Sequence, residues 1–190
     1  MTKTYYSDEV FEGIDYTDED FRAADYESCH FINCKLPKVN LGECGFIECE
    51  FKGCDLSMAK RIGTSIRDSK FTECKLIGLQ FDTCNNFAFS AEFELCNLNL
   101  SSFFQVKGNH TVFKGCQLNE VDFTQAELKE AVFDNCDLAK AVFSSSNLKK
   151  ADFRSSFNYS IDPEANQIEG AKFSLQSLPG LLDKYGIVVG

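Results

Sequence analysis

The sequence predicts an all-β, four-sided solenoid, one chain wound into stacked square coils. Three observations carry that reading: a large apolar residue at every fifth position, a small residue two places before it, and like residues recurring every twenty. A repeat this regular outranks every other signal in the chain.

The first row begins at Phe11 and steps through Tyr16, Phe21, Tyr26, Phe31, Leu36, Leu41, Phe46, Phe51 and Leu56, skips Arg61, and resumes from Ile66 to Phe81. A second row, two residues out of phase, runs from Phe93 to Phe153, broken only at Gly108, and continues at Phe173. Fifteen of the nineteen phenylalanines lie on these rows. Five residues of α-helix turn through about 500°, so no single helical face would be apolar. An uninterrupted strand fails as well, because an odd period sends alternate repeats to opposite faces. What fits is a short extended stretch with two inward residues and one outward residue between them, then a two-residue corner.

All ten cysteines, from Cys29 to Cys136, occupy the small slot, which elsewhere holds Ala, Val or Ser. A thiol here is a small buried apolar group. Metal ligands would have to converge on one point, whereas these are strung along the chain. Neighbouring thiols would stand roughly 4.8 Å apart with parallel Cβ vectors, wrongly aimed for a disulfide.

The number of corners per coil follows from the second row, where Phe93, Phe113, Phe133, Phe153 and Phe173 recur every twenty residues, as do Cys96, Cys116 and Cys136. Four sides close the coil and let like stack on like. About eight coils then fit between residues 11 and 173, in a rod roughly 40 Å long.

At 190 residues the chain reads as one domain with a sizeable core. A net charge of -10 argues against a nucleic-acid binder, which needs a basic footprint. The start MTKTYYSDEVFEG has no apolar signal region, and no 18 apolar residues run together, so the expectation is a soluble cytoplasmic protein with reduced thiols and no membrane association. Residues 1 to 50 hold twelve Asp and Glu against four Lys and Arg, while residues 51 to 150 hold twelve of each sign. The acidity is therefore concentrated at the N-terminal tip, where it can solubilise the first coil's open edge or steer a basic partner.

Pentads such as CDLSM (54 to 58), CDLAK (136 to 140) and ADFRS (151 to 155) resemble the pentapeptide-repeat family over roughly residues 9 to 173. The resemblance implies a right-handed quadrilateral parallel β-helix. Beyond residue 173 the phase is lost, and Leu178, Leu181, Leu182 and Tyr185 sit at helical spacing, with Gly186 as a stop and Ile187 to Val189 able to extend as a strand. The chain thus divides into a β-helix over 1–173 and a capping or dimerisation segment over 174–190. That tail is similar to the end of the topoisomerase-protecting branch that includes the Qnr, McbG and AlbG proteins. In that branch an acidic rod is thought to resemble duplex DNA and engage gyrase.

The resemblance implies a non-enzymatic DNA mimic that binds DNA gyrase or topoisomerase IV and protects it from quinolones or peptide toxins. It also implies a homodimer joined through Leu178, Leu181, Leu182, Tyr185 and Ile187. The alternative is a scaffold of the same fold with another partner. Candidate partner contacts are Asp15, Asp18, Asp20 and Asp25 at the acidic tip, Asn85 and Asn86 in the irregular stretch FDTCNNFAFSAEF (81 to 93), and Asp122, Asp134 and Asp137 farther along. That stretch spends two extra residues and is expected to bulge outward, exposing Phe87 or Phe89. At KRIGTSI (60 to 66), Ile62 is expected to turn inward in place of Arg61. His30 and His110 lie at outward positions with no nucleophile or paired carboxylate beside them, and the reading calls for no catalytic residue, metal or cofactor.

Overall fold

A computed structural model describes residues 3–17, 21–60, 62–84 and 89–188. Two parallel sheets form adjacent walls of a square solenoid, since each side-four strand runs through one corner into the next side-one strand, as β3 does into β4. Side one carries seven strands: β2 (Val10–Glu12), β4 (His30–Ile32), β6 (Glu50–Lys52), β8 (Ser69–Thr72), β9 (Ala91–Glu94), β10 (Val112–Lys114) and β11 (Val132–Asp134). Side four carries β1 (Thr4–Ser7), β3 (Ala24–Glu27), β5 (Gly45–Ile47) and β7 (Ser65–Arg67). Sides two and three are held by single parallel bridges, such as Lys35↔Asp55 and Ser102↔Asp122. Register advances by twenty residues per coil, as in Phe31↔Phe51 and Phe113↔Phe133. It advances by twenty-two only across the irregular stretch, where Phe71 pairs with Phe93.

At several positions the residue in the outward slot shortens the pairing to a lone bridge. Asp55, Asn97, Asp122, Asp137, Asn147 and Asp152 each accept a hydrogen bond from the backbone N–H two residues on. Such an Asx turn bends the chain immediately and stops the pairing at one residue. Val112 and Val132 have no such acceptor, and three-residue strands form around them. Asp152 therefore ends the strand ladder on side one. Continuous strand pairing spans six coil steps, against the eight expected, and the rest of the stack continues as the single bridges Val132↔Asp152 and Asp152↔Lys172.

Most corners close through a residue with left-handed backbone, for example Lys38 (φ 61°), Leu100 (61°), Glu120 (58°) and Lys140 (58°). Pro37, just before Lys38, supplies the fixed φ that this kind of turn uses. A non-glycine residue in this region costs roughly 1–2 kcal/mol. The interior offsets that cost. All ten thiols are buried, and the side-one phenyl rings form one unbroken stack from Phe11 to Phe173, with neighbouring centroids 4.6 to 5.4 Å apart. A second stack, Phe81–Phe103–Phe123–Phe143, meets it edge-on, as in Phe103–Phe113 at 82°.

Three local expectations need correction. Ile62 is 77% exposed rather than inward. The bridge Asn40↔Lys60 and the pair Gly45↔Ser65 keep the register intact on both sides of it, so Ile62 stays in an outward corner slot. Arg61 lies outside the described residues. Phe89 is buried, packed edge-on against Phe81 and Phe103, because the extra residues bring one more ring into the core at the coil they interrupt. Phe87 lies outside the described residues. At the C-terminus the helix is a 3₁₀ helix, Leu175–Leu181, followed by a 3₁₀ turn, Asp183–Tyr185. Pro179 inside it has no N–H to continue a ladder. Ile187 and Val188 form no strand, having left the stack after Gly186, and Val189 lies outside the described residues.

Candidate interaction surfaces

With the interior filled by apolar side chains, chemistry is left to the outer skin, and there charges are stacked by the twenty-residue register. On side two, Asp15, Lys35, Asp55 and Lys75 alternate in sign along one column of bridges, with Lys35 Nζ 3.0 Å from Asp15 Oδ2. On side one, Glu94 lies between Lys70 (3.3 Å) and Lys114 (2.8 Å), and those two ammonium groups hold its carboxyl below the usual range. On side four, Glu130 is met by Lys150 at 3.3 Å, Lys129 at 3.8 Å and His110 at 3.4 Å. Glu120 and Lys140 pair at the corner after side two. Side three differs. Its only ion pairs among the described residues lie at the cap, where Lys184 reaches Asp162 at 2.7 Å and Glu164 at 2.6 Å.

The residues picked out in the sequence do not share one surface. Asp15 lies on side two, where the Thr17 hydroxyl and Lys35 depress its carboxyl to about 2. Asp25 lies on β3, paired with Lys3. Asp122 is on side three, Asp134 on β11 with its Oδ1 accepting from Ser155 at 2.8 Å, and Asp137 on side two accepting from Asn158 at 2.8 Å. Asp18, Asp20, Asn85 and Asn86 lie outside the described residues. The structure therefore brings no two of the described carboxylates into one constellation.

The C-terminal segment closes the open end of the stack. Leu181 packs against the core, Ile161 N–H donates to the Gly180 carbonyl at 2.9 Å, and Ser177 donates to the Ser156 carbonyl at 3.3 Å. Leu178 is 38% exposed, Leu182 is partly buried, and Tyr185 and Ile187 are both exposed. Its helical residues thus face two ways, some inward as a cap and some outward. The sequence reading missed the apolar side chains on the rod's own skin: Met58, Ile62, Leu100 and Phe104. Their signal was present, because each stands one or two places after a row position, where most pentads carry a polar residue or glycine.

Fold and surface together define a four-sided repeat solenoid with a capped end. A family profile described as a pentapeptide repeat region matches residues 24–89 and 86–160. The chain belongs to the pentapeptide-repeat family. No curated protein matches it by sequence. Among solved structures it is similar to a trypsin-treated point variant of QnrB1, a plasmid-mediated fluoroquinolone resistance protein. The TM-score is 0.68 at 19% identity, covering 100% of this chain and 96% of that one. Full-length QnrB1 matches with a TM-score of 0.59 at 17% identity, covering 96% and 100% of the two chains. At these identities the likeness establishes the fold.

Proposed function

We propose that this protein is a non-enzymatic binding rod that engages a type II topoisomerase, DNA gyrase or topoisomerase IV, in the cytoplasm and protects it from poisons such as quinolones or peptide toxins. It acts as a dimer joined through the outward part of the C-terminal segment. The observation that carries this reading is the end-to-end likeness to QnrB1, cap included, with no unmatched domain on either chain. Imitation of duplex DNA contributes little here, because on sides one, two and four acids such as Asp15, Glu94 and Glu130 are met by stacked cations, which interrupts any continuous negative stripe. Attraction to a basic enzyme surface falls instead to the first coil, where Asp8, Glu9 and Glu12 are exposed and form no ion pair among the described residues. The test is gyrase supercoiling in the presence of a quinolone, a microcin or albicidin. Adding the protein should restore supercoiling against at least one of them, and no rescue with any would overturn the reading.

A second reading, an interaction scaffold for a different partner, is favoured by that same charge pairing. A rod that sets many of its acids against stacked cations beyond the first coil offers shape and apolar contacts more than a phosphate-like field. Retained binding to other cell proteins, with no effect on gyrase, would support it.

A further inference from the structure

Among the described residues between Val10 and Phe157 the exposed large apolar side chains are Met58, Ile62, Leu95, Leu100, Phe104 and Val142, and all but Leu95 lie on side three or its edge. Their arrangement is a shallow trough. Three consecutive coils present Met58–Lys60–Ile62, then Gly78–Gln80–Asp82, then Leu100–Ser102–Phe104. The stacking follows from the bonds Met58 N to Ile77 O, Gly78 N to Asn99 O and Leu100 N to Asn119 O, and from the bridge Gln80↔Ser102. The middle coil is the low one. Gly78 contributes no side chain, and its φ of +65° and the Met58 Cγ beside it disfavour one there. The rims stand two coil spacings apart, roughly 10 Å, which is room for one extended chain.

The floor of the trough ends in an unsatisfied group. Asp82 Oδ1 is shielded from water and has no hydrogen-bond partner. Ile62 and Phe104 occupy the matching corner positions of the coils on either side. Over the coils at 78–82, 100–104 and 120–124 this side carries Asp82 and Asp122 and no Lys or Arg, Glu120 at its edge being paired with Lys140, and Lys60 stands at the near rim. A buried carboxylate oxygen without a donor calls for a cation.

We propose that this trough, floored by Gly78, Gln80 and Asp82 and rimmed by Met58, Ile62, Leu100 and Phe104, docks an extended segment of a partner protein. That segment carries a Lys or Arg flanked by apolar residues. On docking, the half-buried Asp82 side chain turns its unpartnered oxygen outward to the cation, the neighbouring apolar side chains cover the two rims, and the exposed Gln80 amide bonds the segment's backbone. The proposal rests on the rod being a binding protein, not on which protein it binds.

The test uses the full chain, ¹⁵N-labelled, titrated with the blocked peptide acetyl-Val-Leu-Arg-Leu-Val-amide and with its counterpart in which Glu replaces Arg. The Arg peptide should shift the amides of Ile62, Gly78, Gln80, Asp82 and Phe104. The Glu peptide should bind at least about tenfold more weakly, the equivalent of one charged contact. Asp82→Asn should weaken the Arg peptide by a similar factor with an unchanged thermal midpoint, while Asp134→Asn on side one should leave it unaffected. No shifts up to millimolar peptide, shifts confined to another side, or equal affinity for both peptides would overturn the proposal. Gyrase is absent from this assay, so its outcome is separate from that of the supercoiling test.

Discussion

The Cys54 thiol donates to the Phe31 carbonyl oxygen at 3.2 Å, and the same link repeats coil after coil. Cys34 donates to Phe11, Cys74 to Phe51, Cys96 to Phe71, Cys116 to Phe93 and Cys136 to Phe113, until Ser156 takes over with a bond to Phe133 at 2.7 Å. Six thiols therefore form one file along a single interior edge, each a small group that also satisfies a carbonyl. Cys74→Ser should cost no more than about 1 kcal/mol, because the hydroxyl can make the same bond, as Ser156 does. Cys74→Leu should overfill the slot and cost about 1–3 kcal/mol. Urea midpoints check both. An equal loss for the two substitutions would show that volume is not what the slot selects.

The thiols should also be silent toward reagents in the folded protein. Burial pushes Cys49 up to about 11 and raises Cys29 and Cys44 in the same direction. A neutral buried thiol is a poor nucleophile. Ellman's reagent should therefore label none of the ten cysteines on mixing, and all ten once urea unfolds the chain. Rapid labelling of even two or three in native buffer would contradict a closed interior.

Loss of a ring should cost most in mid-stack. Phe113 is fully buried, with parallel neighbours at 5.2 and 5.0 Å, whereas Phe11 at the N-terminal end is only half-buried. Phe113→Ala is expected to cost about 3–5 kcal/mol. Phe11→Ala should cost less than half of that, because solvent already reaches one face. In a stack where each coil contacts only its neighbours, the damage should also stay local. Hydrogen exchange should accelerate around Val112 and Val132 before it does around Phe31.

The period of five and its closure at twenty were legible because both are set by volume, which residue type reports directly. Ile62 and Phe89 were not legible, since each depends on whether a local irregularity shifts the register, and that is decided by backbone pairing on the adjacent coils. The end of strand pairing at Asp152, after Val112 and Val132, was present in the letters through the Asx turn, whereas Val142 and Lys75 form lone bridges with no such acceptor and were not legible. Charge was the opposite case. Counting acids and bases puts the excess of acids at the N-terminal tip. It could not reveal that Glu94 lies between Lys70 and Lys114, residues 24 and 20 positions away. Once such ladders are known, a count of net negative charge says little about what the rod imitates.

The first coil should loosen in acid. Asp15 titrates near 2, below its ordinary value of 3.8, because the Thr17 hydroxyl and Lys35 favour the carboxylate. A depressed folded-state value contributes stability that is present above the unfolded-state value and lost as pH falls through about 2. Asp15→Asn should therefore lower the midpoint at pH 6 and make little difference at pH 2. A carboxyl resonance for Asp15 titrating near 4 would remove the basis for this.

The two directions faced by the C-terminal segment can be separated by mutation. Leu181 packs on the core and belongs to the cap, while Ile187 is 57% exposed and has no role in holding the stack. Leu181→Asp should uncouple the cap. The thermal midpoint should fall and exchange should accelerate at Ile161, whose amide bonds the Gly180 carbonyl at 2.9 Å. Ile187→Asp should leave both unchanged and convert dimers to monomers in sedimentation, because a charge buried at a two-fold seam is repeated on both partners. If the unmutated protein sediments as a monomer at micromolar concentration, or if Ile187→Asp remains dimeric, this seam is ruled out and the segment is a cap alone.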